Sequence, residues 1–285
     1  MREQQLQESK PACTMSYGIL VLDTSCLKSL ESEAARSVLR ANARAAGWVV
    51  RVTAINALEV AQTGSAAIRE RLRRTLHALA ADTAVLAWPH VYLERAAEAH
   101  VAGQSRIAIA LSHFDHLVDG PIGDEDSEKA RQFLGEQTKA FEEMHASGRP
   151  QVQSFLRQHG LRSEWSSVRD YLDRFWMAPS HINSYVQGLW QHFEMAGAAP
   201  VPKLLATWPW VRYLEIHGAA AFERVITHRM PRSVHHTDWL QLMYLCVVRR
   251  GLIATDDEPF LNSARGYLGS CPQWQWAVHI SELLT

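Results

Sequence analysis

Residues 18–25, Gly-Ile-Leu-Val-Leu-Asp-Thr-Ser, constrain the fold more than any other stretch of the chain. An unbroken apolar run of this length reads as a strand buried on both faces, as in a parallel sheet covered by helices. The run stops abruptly on Asp23, followed by the hydroxyls of Thr24 and Ser25. Asp23 then falls at the carboxyl edge of the sheet, where open α/β folds place their ligands.

The residues that follow repeat this scheme. Leu27, Leu30, Ala34, Val38, Ala41 and Ala45 recur at helical spacing up to Gly47, a usual helix terminator. Trp48 to Thr53 is rich in β-branched residues and reads as a second strand. A helix is expected from near Asn56, carrying Glu59 in its first turn, and a basic helix from Ile68 to Ala80. Ala84 to Trp88, closed by Pro89, reads as a third strand. Alternating strands and helices predict a parallel sheet.

From His90 to Arg232 the pattern is helical throughout, with breaks expected at Pro121 and Gly123, at Gly148 to Pro150, and at Pro200 with Pro202. The acidic stretch Asp119 to Glu128 falls in the first of these breaks. So long an interval reads as an insertion, not as a connecting loop. Beyond it, Thr237 is placed to cap a helix from Asp238 to Arg250. Leu252 to Thr255 forms a fourth strand, and Gln275 to Ile280 an edge strand. The expected architecture is therefore an α/β fold with a central parallel sheet interrupted by a large all-helical insertion. Its parts are a disordered tail (1–16), a first α/β part (17–110), the insertion (111–232) and a second α/β part (233–285).

Composition narrows the function classes. A net charge of -1 gives no global signature for nucleic acid or membrane, so polyanion binding would need local patches. The four cysteines, Cys13, Cys26, Cys246 and Cys271, lack paired spacing. That pattern argues against structural zinc and for reduced thiols in a cytoplasmic protein. No segment approaches the roughly 18 apolar residues of a membrane span, and the polar N-terminus lacks the apolar core of a signal peptide. Met15, just before the first strand, offers an alternative start.

Four acids occupy related places: Asp23 ends the first strand, Glu59 follows the second, Asp238 opens the helix before the fourth, and Asp257 follows that strand. In a parallel sheet the three strand-following acids share one edge. Asp238 joins them only if the insertion returns the chain there. Converging carboxylates repel one another unless a cation neutralises them. Hard oxygen ligands in an open arrangement suit Mg²⁺ or Mn²⁺, which activates bound water and stabilises charge on a phosphodiester.

These residues resemble the PIN-domain nucleases. The resemblance rests on Leu-Asp23-Thr-Ser, Asn56-Ala-Leu-Glu59, Thr237-Asp238 before a helix, and Ala-Thr255-Asp-Asp257-Glu-Pro-Phe260. It spans the two α/β parts and implies a three-layer α/β/α fold and metal-dependent cleavage of RNA, often as a toxin-type ribonuclease. Asp23, Glu59, Asp238 and Asp257 would hold Mg²⁺ or Mn²⁺. Asp256 reads either as an acid supporting that set or as a solvent-facing residue. Thr24, Ser25, Thr255 and Arg73 are the candidates for contacting substrate. A protein inhibitor or a second copy of the chain is the expected protein partner, with no membrane involved. The long helical interval departs from the small members of the family.

Each residue also has a plainer reading. Asp23, Thr24 or Ser25 would cap a helix. Asn56 with Glu59 has capping-box spacing, Asp238 suits a helix dipole, and Asp257 before Pro259 suits a helix start. Arg69, Arg71, Arg73 and Arg74, with Arg249 and Arg250, would track an RNA backbone or simply form a solvated face. His113 and His116 around Asp115 have ligand spacing without an evident third ligand. His235 and His236 read as an exposed turn or as proton donors. Trp165, Trp176, Trp190, Trp208 and Trp210 read as insertion core, a packing interface or base-stacking platforms. A haloacid-dehalogenase-type phosphatase would need an aspartate at Ser25, and a metal-dependent adhesion motif a serine at Leu27. The nearer alternative is a PIN-like scaffold that binds RNA or protein through its insertion.

Overall fold

The computed structural model describes residues 18–81, 85–104, 112, 114, 116–158, 168–226, 234–246, 250–268 and 277–285. The tail, His113, Asp115, Trp165 and Arg249 lie outside them.

The chain opens with β1 (Gly18–Leu22), α1 (Cys26–Ser29), α2 (Glu33–Ala45), β2 (Trp48–Arg51), α3 (Ala54–Ala61) and α4 (Ala66–Ala80). A helical interval follows: α5 (Pro89–Val101), α6 (His116–Asp119), α7 (Asp124–Gln158), α8 (Val168–Tyr171), a π-helical turn at Leu172–Trp176, α9 (Pro179–His192), α10 (Val201–Leu204) and α11 (Trp208–Ile226). The chain then forms α12 (Val234–Met243), a 3₁₀ turn at Tyr244–Cys246, β3 (Gly251–Thr255), α13 (Glu258–Leu268), β4 (Ala277–His279) and α14 (Ser281–Leu284). The molecule is mostly helical around one small sheet.

Among the described residues that sheet has four strands in the order β2-β1-β3-β4, every pair parallel. Leu20 lies between Val50 and Leu252. Every residue of β1 and of β3 is buried, as expected for central strands of a parallel sheet. The alternation of side chains divides them between two cores. Ile19, Val21 and Ile253 join a cluster with Tyr171, Trp176, Trp190 and Trp210. Leu20, Leu22 and Leu252 join Leu39, Leu58, Leu76 and Leu134. Within the helical interval, α5 and α8 to α11 thus cover one face of the sheet, with Trp176, Trp190 and Trp210 as core residues of that cover, while Leu117 of α6 and Leu134 of α7 join the core on the other face.

Local signals account for the element ends near the sheet. Ser32 caps α2 by accepting the Ala35 amide at 3.1 Å, and Gly47 leaves the helix at a φ of +74°, a conformation that favours glycine. The expected single helix after Ser25 is two, because Leu30 ends α1 and Ser32 restarts the chain as α2.

Three expectations need correction. Of the expected third strand, the described residues Val85 to Trp88 form no strand: Leu86 makes one isolated parallel bridge with Thr53, and Pro89 already starts α5. Gly148 and Pro150 do not break the chain, since α7 runs through both. Propensity against a helix is a weak prior that long-range context overrides. The acidic stretch belongs largely to a helix, with Asp124, Glu125 and Asp126 in the first turn of α7, where the helix dipole favours negative charge.

Close packing between α11 and the π-helical turn depends on Gly218. A Cβ there would stand 2.5 Å from both Leu172 Cδ2 and Trp176 Cδ1. Both side chains are buried, so neither can swing clear. Gly218→Ala is expected to cost about 1–3 kcal/mol through overpacking, read as a fall of several degrees in thermal unfolding.

Candidate functional site

Parallel pairing places the ends of β1, β2 and β3 on one edge. Asp23 continues β1 by donating its amide to the Ala254 carbonyl at 2.8 Å, and its side chain is buried. Its two oxygens are held separately. Oδ1 accepts the Thr24 amide at 2.8 Å, and Oδ2 accepts the Thr255 hydroxyl at 2.8 Å together with the Ser25 hydroxyl. Although Ser25 occupies the N-cap of α1, its side chain makes no capping bond. Its hydroxyl instead orients Asp23 and accepts the Asp256 amide at 2.9 Å. The hydroxyl after the carboxylate therefore serves the site, not the helix.

Thr24 carries the connection to the second strand. Its hydroxyl donates to Glu59 Oε2 and receives Asn56 Nδ2 at 3.0 Å. The expected capping role of Glu59 falls to Asn56: Thr53 and Asn56 form the capping box of α3, with Asn56 Oδ1 accepting the Thr53 amide at 2.9 Å. Glu59 accordingly lies in the second turn of α3, beyond the expected first, and its carboxylate is left for the edge. Asn56 also reaches the Leu22 carbonyl at 3.0 Å, tying α3 to the end of β1.

The helical interval does return the chain to this edge. α12 begins at Val234, ahead of the expected start, so Thr237 and Asp238 lie inside it, and His235 and His236 fall in its first turn instead of an exposed turn. It ends at Met243, well short of Arg250. Thr237 hydrogen-bonds Glu59, while the buried Gln241 accepts the Thr53 hydroxyl at 3.3 Å. Sequence reasoning missed Gln241 and gave Thr53 no role at the site. The Thr-x-x-Asn spacing of Thr53 and Asn56 was the available signal.

Electrostatics link the four predicted acids. Burial, then repulsion from Asp23, Glu59 and Asp257, pushes Asp238 up to about 8. Burial pushes Glu59 up to about 7, with the Asp23 charge adding to it and hydrogen bonds from Thr24 and Thr237 opposing it. Asp257 is half-buried and caps α13, Oδ1 accepting the Phe260 amide at 2.9 Å. Its own amide donates to Thr255 Oγ1 at 3.0 Å, so one hydroxyl joins the Asp23 side chain to the Asp257 backbone.

Other candidates are held elsewhere. Asp256 accepts Ser29 Oγ at 2.9 Å through Oδ2 and faces His279 Nε2 at 3.2 Å through Oδ1. It links α1 to β4 through these two contacts. Arg73 forks Glu70 and donates to the Val118 carbonyl at 2.9 Å, holding α4 to α6. Arg69 is buried on Asp124, Ser127 and the Thr63 carbonyl, and Arg71 and Arg74 pair with Glu31 and Glu70. Arg69 and Arg73 thus tie α4 to α7 and α6, whereas Arg71 and Arg74 are exposed and ion-paired. The His113–Asp115–His116 reading lies outside the described residues.

Among the described residues, no three His, Cys, Asp or Glu side chains gather closely enough to hold an ion between them as they stand. The donor set is nonetheless chemically suited to a hard cation. Its acids are oxygen ligands whose mutual repulsion a divalent charge would relieve, and Mg²⁺ needs only one or two carboxylates when water and phosphate complete its shell. No described helix is long and apolar enough to cross a membrane. Comparison of the chain with protein-family models, with curated proteins and with solved structures found no match.

Proposed function

We propose that the chain is a PIN-like endoribonuclease of three-layer α/β/α build that hydrolyses RNA phosphodiesters with Mg²⁺ or Mn²⁺. The observation that supports this most is the coupling of Asp23, Glu59, Asp238 and Asp257, drawn from separate segments onto one another's charge. In this reading Asp23 is the principal ligand, with Glu59, Asp238 and Asp257 completing the negative field. The bound ion would supply activation of water and stabilisation of charge on phosphate. The chain's own hydroxyls hold the acids in place: Ser25 and Thr255 fix one oxygen of Asp23, and Thr24 fixes one of Glu59.

The test is incubation of purified protein with single-stranded and structured RNAs in Mn²⁺, in Mg²⁺ and in EDTA. Metal-dependent internal cleavage is expected. Intact RNA with either metal would sink the proposal. It would favour a second reading, a scaffold that binds RNA or protein through the helical interval, for which the lack of a ready-formed ion cage among the described residues speaks.

A further inference from the structure

A cavity of about 460 Å³ lies among α5, α7, α9, α11 and α12, within the size range of small-molecule sites. Trp88, Phe133, Leu189 and Met243 supply apolar wall, with Trp88 and Phe133 edge to face at 5.2 Å. The polar part of the wall is made of histidine, tyrosine and glutamine side chains, with no carboxylate, lysine or arginine among the described residues that line it. A charged occupant would therefore lose hydration without a counter-charge, which is costly.

The polar wall is a connected chain. The Trp88 indole, which can only donate, gives its proton to His90 Nδ1 at 3.2 Å. A neutral His90 then carries its proton on Nε2, facing the Tyr213 hydroxyl at 2.8 Å. Tyr213 also bonds Tyr185, and the Tyr185 hydroxyl meets His217 Nδ1 at 2.6 Å. Burial, with His192 nearby, lowers His90 to about 4, so the imidazole at the centre of this chain is uncharged at neutral pH. Flat rings beside fixed imidazole and phenol groups suit a planar ligand with nitrogen and oxygen atoms on its rim.

We propose that this cavity binds an uncharged nitrogen-heteroaromatic ring of nucleobase type. The site would also bear on the acidic edge: Leu240 and Met243 in its wall belong to α12, the helix that carries Asp238 and bonds Thr53 through Gln241. The inference does not depend on the nuclease reading.

The test is calorimetric titration of the full chain with adenosine, guanosine, cytidine and uridine, and with indole as an aromatic control whose rim carries one N–H donor and none of a nucleobase's acceptors. At least one nucleoside is expected to bind one to one, with a dissociation constant on the order of 0.1 mM for about twenty non-hydrogen atoms. Leu189→Trp, which fills the cavity, is expected to weaken that binding at least tenfold, whereas Asp23→Asn binds as the parent does. That contrast separates this site from the acids. If Leu189→Trp does not fold, the indole N–H resonance of Trp88 in the unaltered protein serves instead, and it must shift on titration. A single-stranded RNA pentamer that displaces the nucleoside from the Asp23→Asn protein identifies a base of the polymer as the ligand, and failure to displace it identifies a free nucleoside. Binding by none of the four, equal binding of indole, or an unaltered affinity in a folded Leu189→Trp protein would overturn the proposal.

Discussion

Asp23→Asn is expected to lower metal-dependent RNA cleavage by at least about a hundredfold while leaving the protein at least as stable as the parent. The activity loss follows from the assigned role. Residues that merely orient a metal ligand cost about 10–100-fold when changed, so losing the charge of the ligand itself should cost no less. The stability outcome follows from the surroundings. The asparagine oxygen can keep the Thr24 amide bond made by Oδ1. On the other side, the Ser25 and Thr255 hydroxyls can turn to accept from the new amide instead of donating to Oδ2, because a hydroxyl does either. Removing the charge also relieves the repulsion felt by Glu59 and Asp238. Lost cleavage with an unchanged or raised melting temperature is the signature of a site that trades stability for chemistry. Lost cleavage together with a large fall in melting temperature would instead make Asp23 a structural residue.

The elements that frame this site were legible because burial on both faces leaves a plain mark. Gly18–Leu22 and Gly251–Thr255 are short apolar runs ending at polar residues, and they are central strands. The edge strand was legible by the same reasoning, though only Ala277–His279 of it is strand among the described residues. What failed depended on partners distant in sequence. The β-rich look of residues 84–88 could not reveal that, of the described ones, only Leu86 makes a bridge, to Thr53. Nor could local punctuation show that α7 passes through Pro150. At the site, acid positions followed from strand ends, but the side chains holding them did not. Ser25 looked like a cap and serves Asp23, whereas Asp257 looked like a cap and is one while still charging the edge. Asp256, its immediate neighbour, faces Ser29 and His279 instead. Adjacent aspartates with different partners are separated by backbone direction after β3, which composition does not encode.

Without divalent metal, the protein is expected to lose stability as pH rises from about 6.5 to 8.5, and Mn²⁺ is expected to restore most of that loss. Glu59 and Asp238 are raised from ordinary carboxylate values to about 7 and about 8 in the folded chain. Across this window the folded state holds protons that the unfolded state has already released. Stability must therefore fall with rising pH, by up to about 1.4 kcal/mol per pH unit for each proton. Below about 6.5 an opposing slope enters. His90, lowered to about 4, and His181, also lowered by burial, resist protonation in the fold while the unfolded chain accepts it, so acidification there is destabilising. Above about 8.5 the buried Cys26 thiol, held well above its usual value, adds a further loss. Between those limits the two acids dominate, and a fall of about 5 °C in melting temperature is expected. A bound divalent ion keeps the carboxylates ionised, flattens the slope, and stabilises more at pH 8.5 than at pH 6.5. Asp238→Asn should flatten the slope without metal, because it removes the more strongly raised acid and relieves Glu59. Scanning calorimetry of the two proteins with and without Mn²⁺ measures all of this. A parent slope of zero or of positive sign would mean that the four acids do not share one edge.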